Sequence, residues 1–198
     1  MNLVILGISG GGKGTQAKLL ADKYRLVHIS MGKLFRQEID QKTGVGLEAF
    51  GYIKRGVWVP TDLTFKVLGP VLSGLEDSGF ILDGFPRLPD QPLVLDNFLS
   101  QRGQTIGLVI HILVSPEEVL RRRQRSAEQG KVFYDENRKD ESRESVLARF
   151  ESYRKTIAPI LDYYRAKGIL AEIDGERSVE EIHQDIVKVI EKRVLANG

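Results

Sequence analysis

The sequence predicts an α/β protein in which helices flank a doubly wound, parallel, five-stranded sheet. Five short apolar runs are nearly continuous rather than alternating, which is typical of strands buried on both faces of a parallel sheet: 2–6, 26–29, 80–82, 106–114 and 169–173. Six segments between and after these runs have helical patterns: 13–24, 61–75, 91–101, 116–125, about 141–166 and 179–195. Strand–helix alternation of this kind favours right-handed crossovers.

Two segments interrupt the alternation. Residues 32–59 suggest two short helices without a strand, broken by TGVG at 43–46, and residues 126–137 are polar and lie between arginine-rich stretches. We therefore predict that both segments are inserted into one core. The predicted core comprises 1–29, 60–124 and 139–198, with inserted segments at 30–59 and 125–138.

Composition limits the possible classes of protein. The 198 residues carry a formal net charge of +2, which is too small to indicate bulk nucleic-acid binding. There are no cysteines, which excludes disulfides and thiolate metal sites and suits a reducing compartment. No apolar run approaches the roughly 20 residues that a membrane span needs. We expect a soluble cytoplasmic protein that binds neither membranes nor nucleic acid.

The stretch GISGGGKGT at 7–15 is the most informative motif. Gly7, Gly12 and Lys13 match the phosphate-binding pattern G-x-x-x-x-G-K, between an apolar strand and a helix. Backbone N–H groups in such a loop form an anion nest, and the helix adds its positive N-terminal end. Because Gly14 follows the lysine, Thr15 must supply the hydroxyl that touches Mg²⁺. A glycine-rich turn without a ligand is the weaker alternative.

The apolar run at 80–82 ends in Asp83, a carboxylate in the usual position of the partner of a phosphate loop. An acid there can hold Mg²⁺ through the waters of the ion. The alternative is that Asp83 only caps the following turn.

Six stretches together resemble the adenylate kinases, in the order and spacing of that family: GISGGGKGTQAKLLADKY, HISMGKLFR, GFILDGFPRLPDQ, RRRQR, RKDESRESVLARFESY and IDGERSVEEI. The resemblance covers nearly the whole chain, and its GKGT and DGFPR motifs are highly specific. It implies a P-loop kinase core, a nucleoside-monophosphate-binding segment at 30–59 and a lid at 125–138. The implied lid has a short to intermediate length and lacks the zinc cysteines of some bacterial members.

The resemblance also implies the roles of individual residues. It assigns phosphoryl transfer to Lys13, Arg87, Arg125, Arg138 and Arg149. Residues implied to bind ATP are Gly10, Gly11, Gly12, Lys13, Gly14, Thr15, Arg121, Arg125, Val132, Phe133 and, through its backbone, Arg177. Those implied to bind AMP are Met31, Arg36, Val57, Trp58, Val59, Gly84, Phe85, Pro86, Arg87, Gln91, Arg138 and Arg149.

Several side chains allow a second interpretation. Trp58 and Phe133 could instead pack the inserted segments, and Arg122 and Arg123 could simply be solvated. Gln91 would pair with adenine in both directions, because an amide both donates and accepts hydrogen bonds. We assign His28, His111 and His183 to structural roles away from the motifs.

This sequence departs from the family pattern at four positions. Ser9 and Gly11 keep the loop small, Met31 replaces a threonine near the acceptor base, and Lys33 replaces an aspartate. Losing the threonine hydroxyl removes one means of discriminating between bases. The resemblance still implies a monomeric, Mg²⁺-dependent enzyme that converts ATP and AMP into two ADP. The alternatives are a UMP/CMP-type kinase, a nucleotide-binding regulator that has lost catalysis, and an RNA-binding protein that uses 121–125.

Overall fold

The computed structural model describes residues 1–75, 78–128 and 143–197. It contains a five-stranded parallel sheet with the order β2-β3-β1-β4-β5. The strands are β1 (Asn2–Leu6), β2 (Val27–Ser30), β3 (Phe80–Asp83), β4 (Leu108–Leu113) and β5 (Leu170–Asp174). The predicted fold class is confirmed, and the strand ends differ from the prediction by only a few residues.

Eight helices lie within the described residues. They are α1 (Lys13–Tyr24), α2 (Met31–Asp40), α3 (Gly44–Lys54), α4 (Thr61–Ser73), α5 (Gln91–Ser100), α6 (Pro116–Glu128), α7 (Arg143–Ala166) and α8 (Val179–Asn197). Helix α7 continues through Pro159, which agrees with the helical pattern at about 141–166. None of the described helices is long and apolar enough to cross a membrane.

The core is built around β1, whose residues are all buried because strands flank it on both sides and helices cover it. Leu3 to Leu6 have no exposed surface, and the same holds for Phe80, Ile81 and Leu82 on β3. Continuous apolar runs are therefore what these central strands require.

Residues 30–59, which the sequence predicts to be inserted, contain α2 and α3 with no strand between these helices. The TGVG sequence does not separate the two helices as a loop. Thr43 is the N-cap of α3, and its hydroxyl accepts a 2.9 Å hydrogen bond from the Gly46 amide, so the helix already begins at Gly44.

The chain reverses its direction of winding at β1, because β2 and β3 lie on one side of it and β4 and β5 on the other. Ligands of open α/β sheets bind outside the carboxyl ends of the strands at such a switch point. Strand pairing places Asp83 opposite Ile5 and Ser30 opposite Asp83, so these ends meet at one edge.

Gly46→Ala is expected to lower the free energy of unfolding by about 1–3 kcal/mol. A Cβ at Gly46 would lie 2.2 Å from the backbone oxygen of Glu38, where α3 crosses α2. Gly51→Ala is the matched control on α3. Apart from its chain neighbours and the backbone of its own helix, no described atom lies within 4 Å of a Cβ at Gly51. Alanine there should therefore stabilise the helix by up to about 1 kcal/mol. Urea unfolding measures both, and a similar effect of the two variants would contradict the packing.

Candidate active site

A cleft of about 1650 Å³ opens at the carboxyl edge of the sheet. Residues from the loop after β1, the end of β3, helix α6 and the loop after β5 line it, together with residues of α2 and α3. Pockets for one ligand usually measure about 300–1,000 Å³. The cleft therefore has room for more than one nucleotide-sized molecule.

The glycine-rich loop at 7–15 connects β1 to α1 as the sequence predicts. Gly7 has φ +146°, and a Cβ there would lie 2.8 Å from the Ile112 oxygen on β4. Only glycine allows the loop to pass this close to β4. Gly12 is the N-cap of α1 and has no side chain to cover the first amides of the helix. These amides and the helix dipole favour an anion at this end.

Lys13 is nearly buried and folds back over the loop, where its Nζ donates a 2.7 Å hydrogen bond to the Ile8 oxygen. A carbonyl oxygen fixes the ammonium group without neutralising its charge. Residues 10–15 of the loop all line the cleft. The loop therefore presents both backbone amides and a fixed positive charge to the cleft.

Asp83 ends β3 beside the loop and lines the cleft. Burial alone would raise the pKa of this carboxyl group, but the neighbouring His28 ring and the charges of Lys13 and Arg87 outweigh burial and lower it. Asp83 is therefore ionised at neutral pH, with cationic groups on several sides.

The structure corrects the expectation that all three histidines lie away from the motifs. His28 Nε2 lies 3.6 Å from Asp83 Oδ2, because parallel pairing brings the end of β2 next to the end of β3. The sequence gives no direct sign of this contact, since 55 residues (83 − 28) separate the two side chains.

Arg87 lines the cleft and donates hydrogen bonds to two backbone oxygens. Its Nη1 donates to the Gly7 oxygen over 3.2 Å, and its Nε donates to the Gly84 oxygen over 3.1 Å. Burial lowers the pKa of the guanidinium, while Tyr153 and Asp83 oppose the shift. Arginine stays charged despite such a shift. This partly buried cation is consequently held by backbone oxygens of the phosphate loop and of its own turn.

The side chain of Gln91 contacts the turn that carries Arg87. Its side chain is almost fully buried, and Oε1 accepts hydrogen bonds from the amides of Arg87 and, over 3.1 Å, Leu88. A carbonyl oxygen has two lone pairs, and both are engaged by the turn that carries Arg87. In this arrangement the amide N–H groups of Gln91 are the groups left to meet a base, and its pairing with adenine stays a prediction.

Most of the other residues expected on the acceptor side line the cleft: Met31, Arg36, Val57, Trp58, Val59, Gly84 and Phe85. Pro86 is buried and is not among the lining residues. The Trp58 ring packs against the Arg87 guanidinium, with 5.0 Å between the ring centroid and Cζ. Trp58 thus both packs and lines the cleft.

On the donor side, Arg121, Arg125 and Arg177 line the cleft as expected. The side chain of Arg177 pairs with Asp185 and, at 3.3 Å, with Asp174. This leaves a backbone role for Arg177 open, as the sequence suggests. Arg121 Nη1 pairs with Glu118 at 2.8 Å.

The sequence analysis did not assign Arg122 to the site and allowed that it is simply solvated. It is partly buried, and its Nε donates to Glu118 Oε1 over 2.8 Å. The other guanidinium nitrogens donate to the oxygens of Gly11, over 3.4 Å, and Gly175. Arg122 thereby joins the phosphate loop to the loop after β5. The i,i+4 spacing of Glu118 and Arg122 was the available signal.

Several residues that the sequence predicts in the site lie outside the part of the chain that the structure describes. Val132, Phe133 and Arg138 lie in 129–142, which the structure does not describe. The backbone of Arg149 belongs to α7, while its side chain is also outside the description. Their roles stay predictions, and so does the lid at 125–138.

The oxygen atoms near the loop suit Mg²⁺. Thr15 and the ionised Asp83 both line the cleft and offer the hard oxygen donors that this ion prefers. Mg²⁺ in phosphoryl-transfer sites is usually held by one or two protein oxygens together with water and phosphate. The residues present therefore fit the ion.

A loop shaped for phosphate at the carboxyl edge of a parallel sheet places the protein among the P-loop nucleotide-binding enzymes. Comparison with known families narrows this class, since the family model described as adenylate kinase matches residues 5–169. The chain belongs to the adenylate kinase family and is accordingly a phosphotransferase.

Relatives match along nearly the full length. The adenylate kinase of Corynebacterium glutamicum is 40% identical over 193 residues, covering 97% of this chain and 100% of that protein. The adenylate kinase of Clostridium tetani is 37% identical, with 96% and 98% covered. That of Azobacteroides pseudotrichonymphae is 38% identical, with 96% and 97% covered.

Asp83→Asn is expected to reduce the loss of stability in acid. Because the folded-state pKa of Asp83 lies below the ordinary value of 3.8, its ionised form stabilises the fold above that pH, and this contribution disappears as the pH falls through the lowered pKa. Urea unfolding from about pH 7 to about pH 2 measures the difference between wild type and variant, which should shrink in acid. The exposed Asp22, changed to Asn, is the control. A difference that stays constant with pH would contradict the assignment.

Arg122→Met is expected to raise KM for ATP about 3–10-fold while leaving KM for AMP within about twofold, because the lost hydrogen bonds include those that join the phosphate loop to the loop after β5. Arg123→Met, one position further along α6, is the control. Steady-state kinetics with each nucleotide varied in turn gives both constants. Equal increases in the two constants would show that Arg122 has a general structural role instead.

Proposed function

We propose that the protein transfers the terminal phosphoryl group of ATP to AMP, reversibly, giving two ADP. The contact that carries this proposal is the hydrogen bond from Arg87 to the Gly7 oxygen. It attaches the arginine expected on the acceptor phosphate to the loop expected on the donor phosphates. Two phosphate groups bound by these elements would meet in the same cleft.

The chemistry depends on bringing two anions together. Lys13, Arg36, Arg87 and Arg125 line the cleft, and Arg138 and Arg149 complete the proposed cationic set. Fixed positive groups stabilise the charge that spreads over the transferred phosphoryl oxygens and keep the groups in line.

Proton transfer by a side chain is not required. A phosphate monoester has its second pKa near 6 and offers an anionic oxygen at neutral pH. Positioning and charge stabilisation are thus the main tasks of the protein.

Thr15 and Asp83 would hold Mg²⁺ through its waters. When bound with ATP, this ion supplies positive charge that offsets the charge of the donor phosphates. We do not assign any zinc to the protein.

Gly10 to Gly14, Arg121, Val132, Phe133 and the backbone at Arg177 would hold ATP. Residues of the segment 30–59, the turn at 84–87 and Gln91 would hold AMP. Because Oε1 of Gln91 is engaged, its amide N–H groups would donate to the acceptor nitrogen N1 of adenine. Water competes as an acceptor, so we propose that 30–59 and 125–138 close over the substrates.

The alternatives are not favoured. Relatives with nearly complete coverage are named adenylate kinase, which argues for AMP over UMP or CMP and for an active enzyme over a regulator. Glu118 pairs with both Arg121 and Arg122, which reduces the positive charge that an RNA would meet. We also propose that the protein is a monomer and that it works in the cytoplasm, a reducing compartment that suits a chain without cysteines.

ADP formation from ATP and a panel of acceptors tests the function. AMP is expected to give the highest kcat/KM, with two ADP formed for each ATP consumed, and dAMP, GMP, UMP and CMP are the competitors. Omitting Mg²⁺ should abolish turnover. A better acceptor than AMP would overturn the assigned substrate, and tight binding of ATP and AMP without turnover would identify a regulator.

A further inference from the structure

A chain of hydrogen bonds links the sheet to Arg87. His111 on β4 and Glu172 on β5 are paired in register, and His111 Nδ1 lies 3.2 Å from Glu172 Oε1. The other ring nitrogen, Nε2, lies 3.0 Å from the hydroxyl of Tyr153 on α7. Tyr153 and His111 are buried, whereas Glu172 is exposed and also pairs with Arg165 at 3.6 Å.

The direction of these hydrogen bonds follows from the charge state of His111. Burial lowers the pKa of His111 below its ordinary value of 6.5, outweighing the opposite effect of Glu172. The neutral ring has one N–H group, and only Nδ1–H can satisfy the carboxylate. Nε2 therefore accepts a hydrogen bond from the Tyr153 hydroxyl. Burial raises the pKa of Tyr153, so this phenol stays protonated and can donate.

The Tyr153 ring ends this chain at Arg87, where 5.7 Å separates the ring centroid from Cζ. Trp58 provides a second ring, at 5.0 Å. Aromatic rings attract a guanidinium without neutralising it. Hydrogen bonds in series strengthen one another. Because the Tyr153 hydroxyl donates a hydrogen bond to His111, electron density shifts toward the phenol ring.

We propose that Glu172, His111 and Tyr153 are positioning residues for Arg87: the hydrogen-bonded chain fixes the Tyr153 ring against the guanidinium and holds it toward the acceptor phosphate. The proposal rests on the proposed function, in which Arg87 binds that phosphate. Two rings, one from the core and one from the segment 30–59, then act together with the backbone oxygens of Gly7 and Gly84 to position Arg87.

Tyr153→Phe tests the chain, because it removes the hydroxyl and keeps the ring. We expect KM for AMP to rise about 3–10-fold and KM for ATP to change by less than about twofold. Tyr164→Phe is the matched control. Tyr164 is fully buried on the same helix, and among the described residues its hydroxyl has no hydrogen-bond partner. It should leave both constants unchanged.

His111 provides a second test. His111→Leu should reproduce the selective loss for AMP, and His111→Gln, which keeps an acceptor for the Tyr153 hydroxyl, should restore part of it. Thermal unfolding identifies any variant that fails to fold. If His111→Leu does not fold, the two KM values of Tyr153→Phe alone decide whether the positioning chain exists.

Combination with Arg87→Ala separates this proposal from the proposed function. In that background Tyr153→Phe should add no further change in KM for AMP. If Arg87→Ala itself leaves KM for AMP unchanged, the role of Arg87 is wrong. If Arg87 matters but Tyr153→Phe behaves like Tyr164→Phe, or raises both constants equally, the positioning chain is overturned.

Discussion

The close approach of Gly7 to β4 is the constraint on which the rest of the site depends. A Cβ at Gly7 would lie 2.8 Å from the Ile112 oxygen, so any other residue would move the phosphate loop away from the sheet. The carbonyl oxygen of the same glycine accepts a hydrogen bond from Arg87. One backbone group therefore sets the distance between the loop that would hold the donor and the arginine that would hold the acceptor.

Two cationic groups that line the cleft, Lys13 and Arg87, donate to neutral backbone oxygens. Lys13 donates to the Ile8 oxygen, and Arg87 donates to those of Gly7 and Gly84. Carbonyl dipoles fix a charge in place and still leave it available, whereas a carboxylate partner would cancel much of it. Because the groups are already positioned, little reorganisation is needed when phosphate arrives. Asp83 is a carboxylate near both Lys13 and Arg87. This position suits a hydrated metal ion, which would add positive charge.

The sequence by itself determined the parallel sheet, the phosphate loop and most of the residues that line the cleft. Continuous apolar runs are required in strands that have no exposed face, and G-x-x-x-x-G-K is a local geometry that depends on a few consecutive residues. For the same reason the start of α1 at Lys13 and the course of α7 through Pro159 follow from local patterns. The family resemblance extended this to residues such as Arg87 and Arg125.

Only the tertiary structure decided which polar groups are partners. His28 meets Asp83 through the pairing of β2 with β3, and Tyr153 meets His111 because α7 packs near β4. The side-chain oxygen of Gln91 accepts hydrogen bonds from the turn at Arg87, a contact that the sequence analysis did not predict. Arg122 contacts Gly11 across 111 residues. Such contacts depend on strand order and register, which hydrophobic periodicity does not encode, so side chains distant in sequence find their partners only when the sheet is assembled.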